Sequence, residues 1–268
     1  MVRAAAVQMC SNDDLDGNLR AAGALVAEAV HAGAEFVALP ENFAFLRREG
    51  LPIPCAQPLE GSIVATLRDW ARQHRIWLLG GSFAELVPGS ERLHNTSVLL
   101  APDGALAAVY RKIHLFDVDL RAQGGSCYRE SALIAPGQEV VVAETPFGGM
   151  GLSVCYDLRF PELFRLQSAR GARFLLVPSA FARETGRDHW EVLLRARAIE
   201  NQCFVIAPAQ WGQHSPERAS HGRALIADPW GVLLAVAPDR PGVVLAECDL
   251  AQQDSVRSGL PALQHRRI

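Results

Sequence analysis

The sequence predicts an α/β fold in which helices cover the faces of β-sheet. Three observations lead there. Apolar runs of strand length alternate with helically spaced stretches through the first and middle parts of the chain. Hairpin-type turns join the strands of the remainder. The 268 residues, 49% hydrophobic and 21% charged, also have the makeup of an ordinary globular chain with a sizeable core. No internal repeat, low-complexity tract or linker interrupts them, so one domain is expected over 1–268.

Val2–Met9 reads as a first strand. Asn12 to Asp16 offer cap residues, and Leu15, Leu19, Ala22, Leu25, Val26 and Val30 recur at helical spacing up to Gly33. Phe36 to Leu39 is a short buried strand closed by Pro40. Ser62 to His74 forms a second helix with Ile63, Leu67, Trp70 and Ala71 on one face. Strands follow at 76–82 and 94–101, and Pro102-Asp103-Gly104 turns the latter into a strand over 105–112. From Ile113 to Glu139 the pattern fails, and a loop of that length in a compact fold is usually functional or mobile.

Strands resume at 140–143 and 149–155, the second preceded by the Gly148-Gly149 turn signal. Asp157 can cap the turn that follows, Pro161 suits a first helical position, and a helix over 160–169 ends before Gly171. Next come a strand at 174–177 and a helix over 188–202 with Trp190, Leu193, Leu194 and Ile199 for its core. Further strands lie at 204–210, 224–227, 232–237 and 243–248. The residues beyond about 250 lack a core pattern of their own, and docking on a neighbouring subunit is expected of them.

Composition narrows the function. A net charge of −3, with no Lys/Arg run interleaved with aromatics, disfavours nucleic acid and anionic membranes as partners. No apolar run approaches the roughly 20 residues needed to span a bilayer, and the N-terminal residues turn polar too soon for a signal peptide. The six cysteines, at 10, 55, 127, 155, 203 and 248, contain no CxxC pair, which argues against a disulfide framework or structural zinc. A cytoplasmic protein needing neither cofactor nor metal is expected. His94, His114, His214 and His221 lack metal-ligand spacing.

Three unrelated stretches each end a strand on a chemically useful residue: Glu41 after Leu39-Pro40, Lys112 after Tyr110-Arg111, and Cys155 after Ser153-Val154. Read singly, each has an ordinary role: a solvated loop acid, a surface lysine, a core thiol. Together they would form a device. A carboxylate can take the thiol proton, an ammonium can stabilise thiolate and oxyanion, and the thiolate can attack an electrophilic carbon.

Those stretches, Leu39-Pro40-Glu41-Asn42, Tyr110 to Val118 and Gly151 to Glu162, resemble the nitrilase superfamily of carbon–nitrogen hydrolases in order and in local context. The likeness continues through His189 to Gln202, Asp228-Pro229-Trp230-Gly231 and His265-Arg266-Arg267, and so covers essentially the whole chain. Ala207 to Gln210 and Arg218 to Gly222 resemble the deaminated glutathione amidase branch more than the omega-amidases. The resemblance implies an αββα sandwich that pairs with a second copy into a four-layer αββα–αββα homodimer, possibly within a higher homo-oligomer. It implies Glu41 as general base, Cys155 as nucleophile, Lys112 as oxyanion stabiliser, the Tyr156 N–H as second oxyanion donor, and Glu130 as the acid that orients the lysine. Arg159, Phe181 and Thr185 match positions that line the pocket for an α-keto-acid end. A guanidinium there can grip a carboxylate in bidentate fashion, and an ion pair with Glu162 or Asp157 is the structural alternative for Arg159.

Two positions depart from the pattern. Ala132 stands where an acid is common, and Gly222-Arg223-Ala224 replaces a glycine-histidine-serine run. The implied reaction is hydrolysis of a small linear amide through a cysteine thioester, with release of ammonia. Omega-amidase action on α-ketoglutaramate is the nearest rival. A nitrile hydrolase is disfavoured by the lack of a longer C-terminal extension, a papain-like Cys–His hydrolase by the surroundings of His114 and His189, and a non-catalytic scaffold by retention of all three residues.

Overall fold

The computed structural model describes residues 1–267. In chain order the elements are β1 (Val2–Met9), α1 (Leu15–His31), β2 (Phe36–Ala38), α2 (Ser62–His74), β3 (Trp77–Leu79), β4 (Phe83–Glu85), β5 (His94–Leu100), β6 (Leu106–Arg111), β7 (Asp117–Asp119), β8 (Cys127–Arg129), β9 (Val142–Ala143) and β10 (Gly149–Leu152). They continue with α3 (Pro161–Ala169), β11 (Ala172–Leu176), α4 (Arg183–Asn201), β12 (Phe204–Ala207), β13 (Ala209–Ser215), β14 (Arg218–His221), β15 (Leu225–Ala227), β16 (Leu233–Val236), β17 (Gly242–Cys248) and α5 (Leu250–Gly259).

Two sheets stack face to face. The first runs β14-β13-β1-β2-β3-β5-β4, with β17 also paired to β1 and β6 to β5. The second runs β16-β15-β12-β11-β10-β9. The pleat of β1 shows why the sandwich forms. Seven of its eight residues are buried, and successive side chains point to opposite faces. Val2, Ala4 and Ala6 pack with Leu152, Phe174 and Leu176 of the second sheet. Ala5, Val7 and Met9 pack with Val26 of α1 and Leu67 of α2. On the far side, Phe164 of α3 and Trp190, Leu194 and Ala198 of α4 close the second sheet. The order is helix, sheet, sheet, helix, the αββα sandwich that the resemblance implied.

The caps follow the sequence. Asp14 caps α1 by accepting from Gly17 N, and Pro161 opens α3. Three segments differ from expectation. The strand expected over 76–82 breaks at Gly80-Gly81: Gly81 has φ +53°, and a Cβ there would lie 2.0 Å from the Pro40 carbonyl oxygen. The strand expected over 204–210 breaks at Pro208, leaving β12 in the second sheet and β13 in the first. Within the expected loop 113–139, β7 and β8 pair as a small antiparallel hairpin.

The residues from 250 onward hold an element that the sequence pattern does not show. Residues 250–259 form α5, capped by Asp249, and are bonded to their own chain. Fully buried Gln253 donates from Nε2 to the carbonyls of Arg173 and Gln202, and accepts from Arg173 Nε. Arg257 donates to the carbonyls of Gln202 and Ala172. A helix with one buried position gives almost no apolar periodicity, so the sequence pattern misses it. Gln253→Ala would take a partner from the Arg173 carbonyl and from Arg173 Nε, and leave the Gln202 carbonyl to Arg257 alone. The expected loss is about 1–3 kcal/mol, read as a lower urea midpoint at unchanged slope.

Candidate active site

Strand ends from both sheets converge at one place. Leu39 and Pro40 carry the chain out of β2 and leave Glu41 buried at 3% exposure. β6 delivers Lys112, 2% exposed, whose backbone N–H is tied to the Asn95 carbonyl of β5. β10 leads to Cys155, 7% exposed, whose N–H bonds the Pro178 carbonyl beyond β11. The long loop supplies Glu130 just after the β7–β8 hairpin.

The polar contacts among these groups are dense. Lys112 Nζ donates to Glu41 Oε1 at 3.0 Å and to Glu130 at 2.8 and 3.1 Å. Asn95 Nδ2 bridges the same two carboxylates at 2.9 and 3.2 Å. Glu41 Oε2 accepts the Ala180 N–H at 2.8 Å, and Glu130 Oε2 accepts the Phe116 N–H at 2.7 Å. Every carboxylate oxygen is therefore satisfied, which is the condition for holding charge away from water.

Electrostatics set the resting state. Burial pushes the Glu41 carboxyl up, but the Lys112 charge, the Cys155 thiol and the Ala180 N–H outweigh it and hold the group below its usual range. Burial alone would lower Lys112, yet Glu130 and Glu41 keep it firmly protonated. Burial first, then the neighbouring Glu41 charge, raise the Cys155 thiol well above its usual value. Cys203 and Cys248 are raised by burial too, to about 11 and about 12. What separates Cys155 from these inert thiols is a carboxylate base and an ammonium beside it.

Cys155 has φ +49°, a left-handed conformation uncommon for a residue with a side chain. The turn is over-determined by its neighbours, as a conformation costing about 1–3 kcal/mol must be. Asp157, fully buried, accepts the Val154 N–H at 2.8 Å, the Tyr110 hydroxyl at 2.7 Å and the His114 N–H at 3.0 Å. Arg197 donates twice to the Leu158 carbonyl. Tyr156 is thus the second residue of a short 3-10 turn, Cys155–Arg159, at whose start backbone N–H groups lack intrahelical partners.

A pocket of about 930 Å³, counted to its open mouth, lies over this cluster and is lined by Glu41, Lys112, Glu130, Cys155, Tyr156, Phe181 and Thr185 among others. Arg159 does not line it. Its guanidinium lies 4.9 Å from the Phe181 ring and 5.8 Å from that of Tyr156, and bonds His189 Nδ1 at 3.1 Å. It pairs with neither Glu162 nor Asp157, the partners weighed for it. His114 is turned to Asp157 and stacked on Phe160, away from the thiol. Ala132 ends a short turn after Glu130. Arg223 has φ +63° and accepts from the Trp190 indole through its carbonyl. Among the described residues no three His, Cys, Asp or Glu side chains are grouped to hold a metal ion.

Several contributors escape a reading of single motifs. Asn95 reads as one more strand residue, although an amide side chain in an otherwise apolar run is a signal. Gln210 bonds the Glu41 carbonyl at 3.0 Å and Ser11 Oγ at 2.8 Å. It reaches there only because the chain crosses between sheets at Pro208.

Comparison with known proteins identifies the class. The carbon–nitrogen hydrolase family model matches residues 3–258, and the chain belongs to that family. It is 47% identical over 266 residues to a deaminated glutathione amidase of Synechocystis, covering 98% of this chain and 97% of that protein. It is 42% identical to the human deaminated glutathione amidase, covering 98% and 81%. Among solved structures, the Caenorhabditis elegans NitFhit protein superposes with a TM-score of 0.91 at 39% identity. The match covers 99% of this chain, which spans 65% of the NitFhit chain. These relatives establish the αββα fold and its hydrolase family.

Replacing Glu41 by Gln tests the electrostatics directly. The substitution removes the Glu41 charge, which after burial is the largest cause that raises the Cys155 thiol, while Lys112 remains. The pH profile of Cys155 alkylation, followed by mass spectrometry, should therefore shift to lower pH. Turnover should nonetheless fall by roughly 10²–10⁴-fold, because an amide in place of the carboxylate cannot take up a proton. In the wild type, Glu41 is deprotonated above its lowered pKa, so the acid limb of activity should lie below the usual glutamate range.

Proposed function

We propose that this protein is a thiol-dependent amidase that hydrolyses deaminated glutathione. The observation that carries the reading is the buried Glu41–Lys112–Glu130 cluster placed against Cys155 at the floor of the pocket. The named activity of the relatives, at 42–47% identity over nearly the whole chain, supports the substrate.

The chemistry follows from the geometry. Cys155 is a neutral thiol at rest and passes its proton to Glu41 as its sulfur attacks the amide carbonyl. The oxyanion is met by Lys112 Nζ and the Tyr156 N–H. Glu130 and Asn95 keep the lysine in place. The intermediate collapses, Glu41 returns the proton to the departing nitrogen, and a thioester remains on Cys155. Glu41 then deprotonates water, which releases the acid and restores the thiol.

The leaving group needs a correction. Ammonia is released from a primary amide such as α-ketoglutaramate. Deaminated glutathione instead carries its acyl group on the nitrogen of cysteinylglycine, so the product is that amine together with α-ketoglutarate. Phe181 and Thr185, on the pocket wall, contact the acyl chain, and Arg159 supports them through the Phe181 ring. α-Ketoglutarate release should be measured from deaminated glutathione and from α-ketoglutaramate side by side, with Cys155→Ala as the blank. A clear preference for deaminated glutathione is expected. A preference for α-ketoglutaramate would make the protein an omega-amidase, and turnover by Cys155→Ala would remove the thiol from the mechanism.

The protein also acts as a homodimer in this reading. Leu166 of α3, Val192 and Ile199 of α4, and Trp230 and Val232 beside them are between 49% and 66% exposed. Large apolar side chains concentrated on one layer favour cover by a second copy, and residues 260–267 could extend onto it. Sedimentation should show a dimer for the wild type and a monomer for Ile199→Glu/Trp230→Glu. The six free thiols suit a reducing, cytoplasmic setting.

A further inference from the structure

The ionisable groups of the pocket are sorted by depth. At its buried end, two carboxylates face one ammonium, Lys112, and that ammonium is fully engaged by both. A substrate anion seated there would meet Glu41 and Glu130 without a free partner. Outside that cluster the lining carries Arg47, Glu49 and Arg218, each half-buried, and the exposed Arg129. Arg47 is committed, pairing with Glu49 at 3.1 Å and donating to the Leu51 carbonyl. Arg129 and Arg218, by contrast, have no ion pair or side-chain hydrogen bond among the described residues. Between the two ends stand the packed rings of Phe116 and Tyr128, 5.1 Å apart. Arg218 lies close enough to Tyr128 for its charge to oppose the burial that raises that hydroxyl.

Buried acid–base end, aromatic middle and cationic rim match an amide whose departing arm is a few bonds long and ends in an anion. We propose that Arg218, assisted by Arg129, grips the terminal carboxylate of the leaving-group arm and so selects peptide-bearing amides over bare ones. This rests on the amidase reading above and adds a specificity-determining site on the leaving side of the scissile bond. A guanidinium suits the task because its planar fork can meet a carboxylate with two parallel N–H donors. Placed at the rim, it steers the anion without burying a charge.

The test compares two substrates that differ only in arm charge: the amides of α-ketoglutarate with cysteinylglycine and with cysteinylglycinamide. The wild type should favour the anionic arm by about tenfold in kcat/KM, mostly through KM. Arg218→Ala should bring the ratio near one, and Arg218→Glu should invert it. Arg129→Ala should lower it less. A merely structural role for Arg218 would slow both substrates together and leave their ratio intact.

A wild-type ratio near one, or a ratio unmoved by Arg218→Glu, would overturn the proposal. So would a matching KM rise for α-ketoglutaramate, which would place the gripped carboxylate on the acyl side. If the wild type hydrolyses neither amide, the amidase reading fails by itself. The grip is then read from NMR titration of Cys155→Ala protein with cysteinylglycine and with cysteinylglycinamide. Tighter binding of the free acid that vanishes on adding Arg218→Glu sustains it, and equal binding of the two overturns it.

Discussion

The rest of the structure depends on keeping Lys112 charged between Glu41 and Glu130 in a place almost without water. Removing charges from water is expensive, and the cost is met only where every partner is supplied in good geometry. Here the partners come from the end of β2, the ends of β5 and β6, the loop after β11, and the segment after β8. All of these parts of the chain must be in register before the cluster is satisfied. The cluster therefore links the two sheets at the end where their strands terminate. It explains why the loop 113–139 is not free: the Phe116 N–H and Glu130 bind each other across the β7–β8 hairpin.

Much of this was legible because it is local. Strand β1 and helix α2 follow from period and caps, with Val2–Met9 and Ser62–His74 agreeing with the expected limits. Cys155 at a strand-to-turn junction, Asp157 as a turn cap and Pro161 at a helix start are likewise written in adjacent residues. The juxtaposition of Glu41, Lys112 and Cys155 was not local. Spacing left each with an ordinary role, and the resemblance brought them together before the coordinates did.

What stayed hidden depends on partners far away in the chain. The first turn of α4 was lost because Thr185-Gly186 breaks the apolar pattern. Gly186 is there for packing, since a Cβ would come 2.3 Å from that of His221 on β14. Strand β14 itself is short and polar, pairing with β13 and touching the chain before α4 through a bridge from Ser220 to Ala182. Asn95 and Gln210 look like polar interruptions until the carboxylate and carbonyl they serve are in view. The motif places Arg159 near the pocket but does not reveal that its guanidinium lies over the Phe181 ring and meets His189. Direction, unlike position, is not encoded by spacing.

The charge count of the cluster also explains why a thiol pushed upward by burial is no obstacle to reaction. A free thiolate would be a third anion beside Glu41 and Glu130, opposed by the single Lys112 cation. The protein keeps the sulfur protonated at rest and the base charged. In the proposed attack, Glu41 becomes neutral by taking the thiol proton, and the negative charge reappears on the carbonyl oxygen beside Lys112. The net charge of the buried set does not change during the step. The site need not stabilise a new charge. It needs only to let an existing one move from a carboxylate to an oxyanion across groups already oriented around the same ammonium.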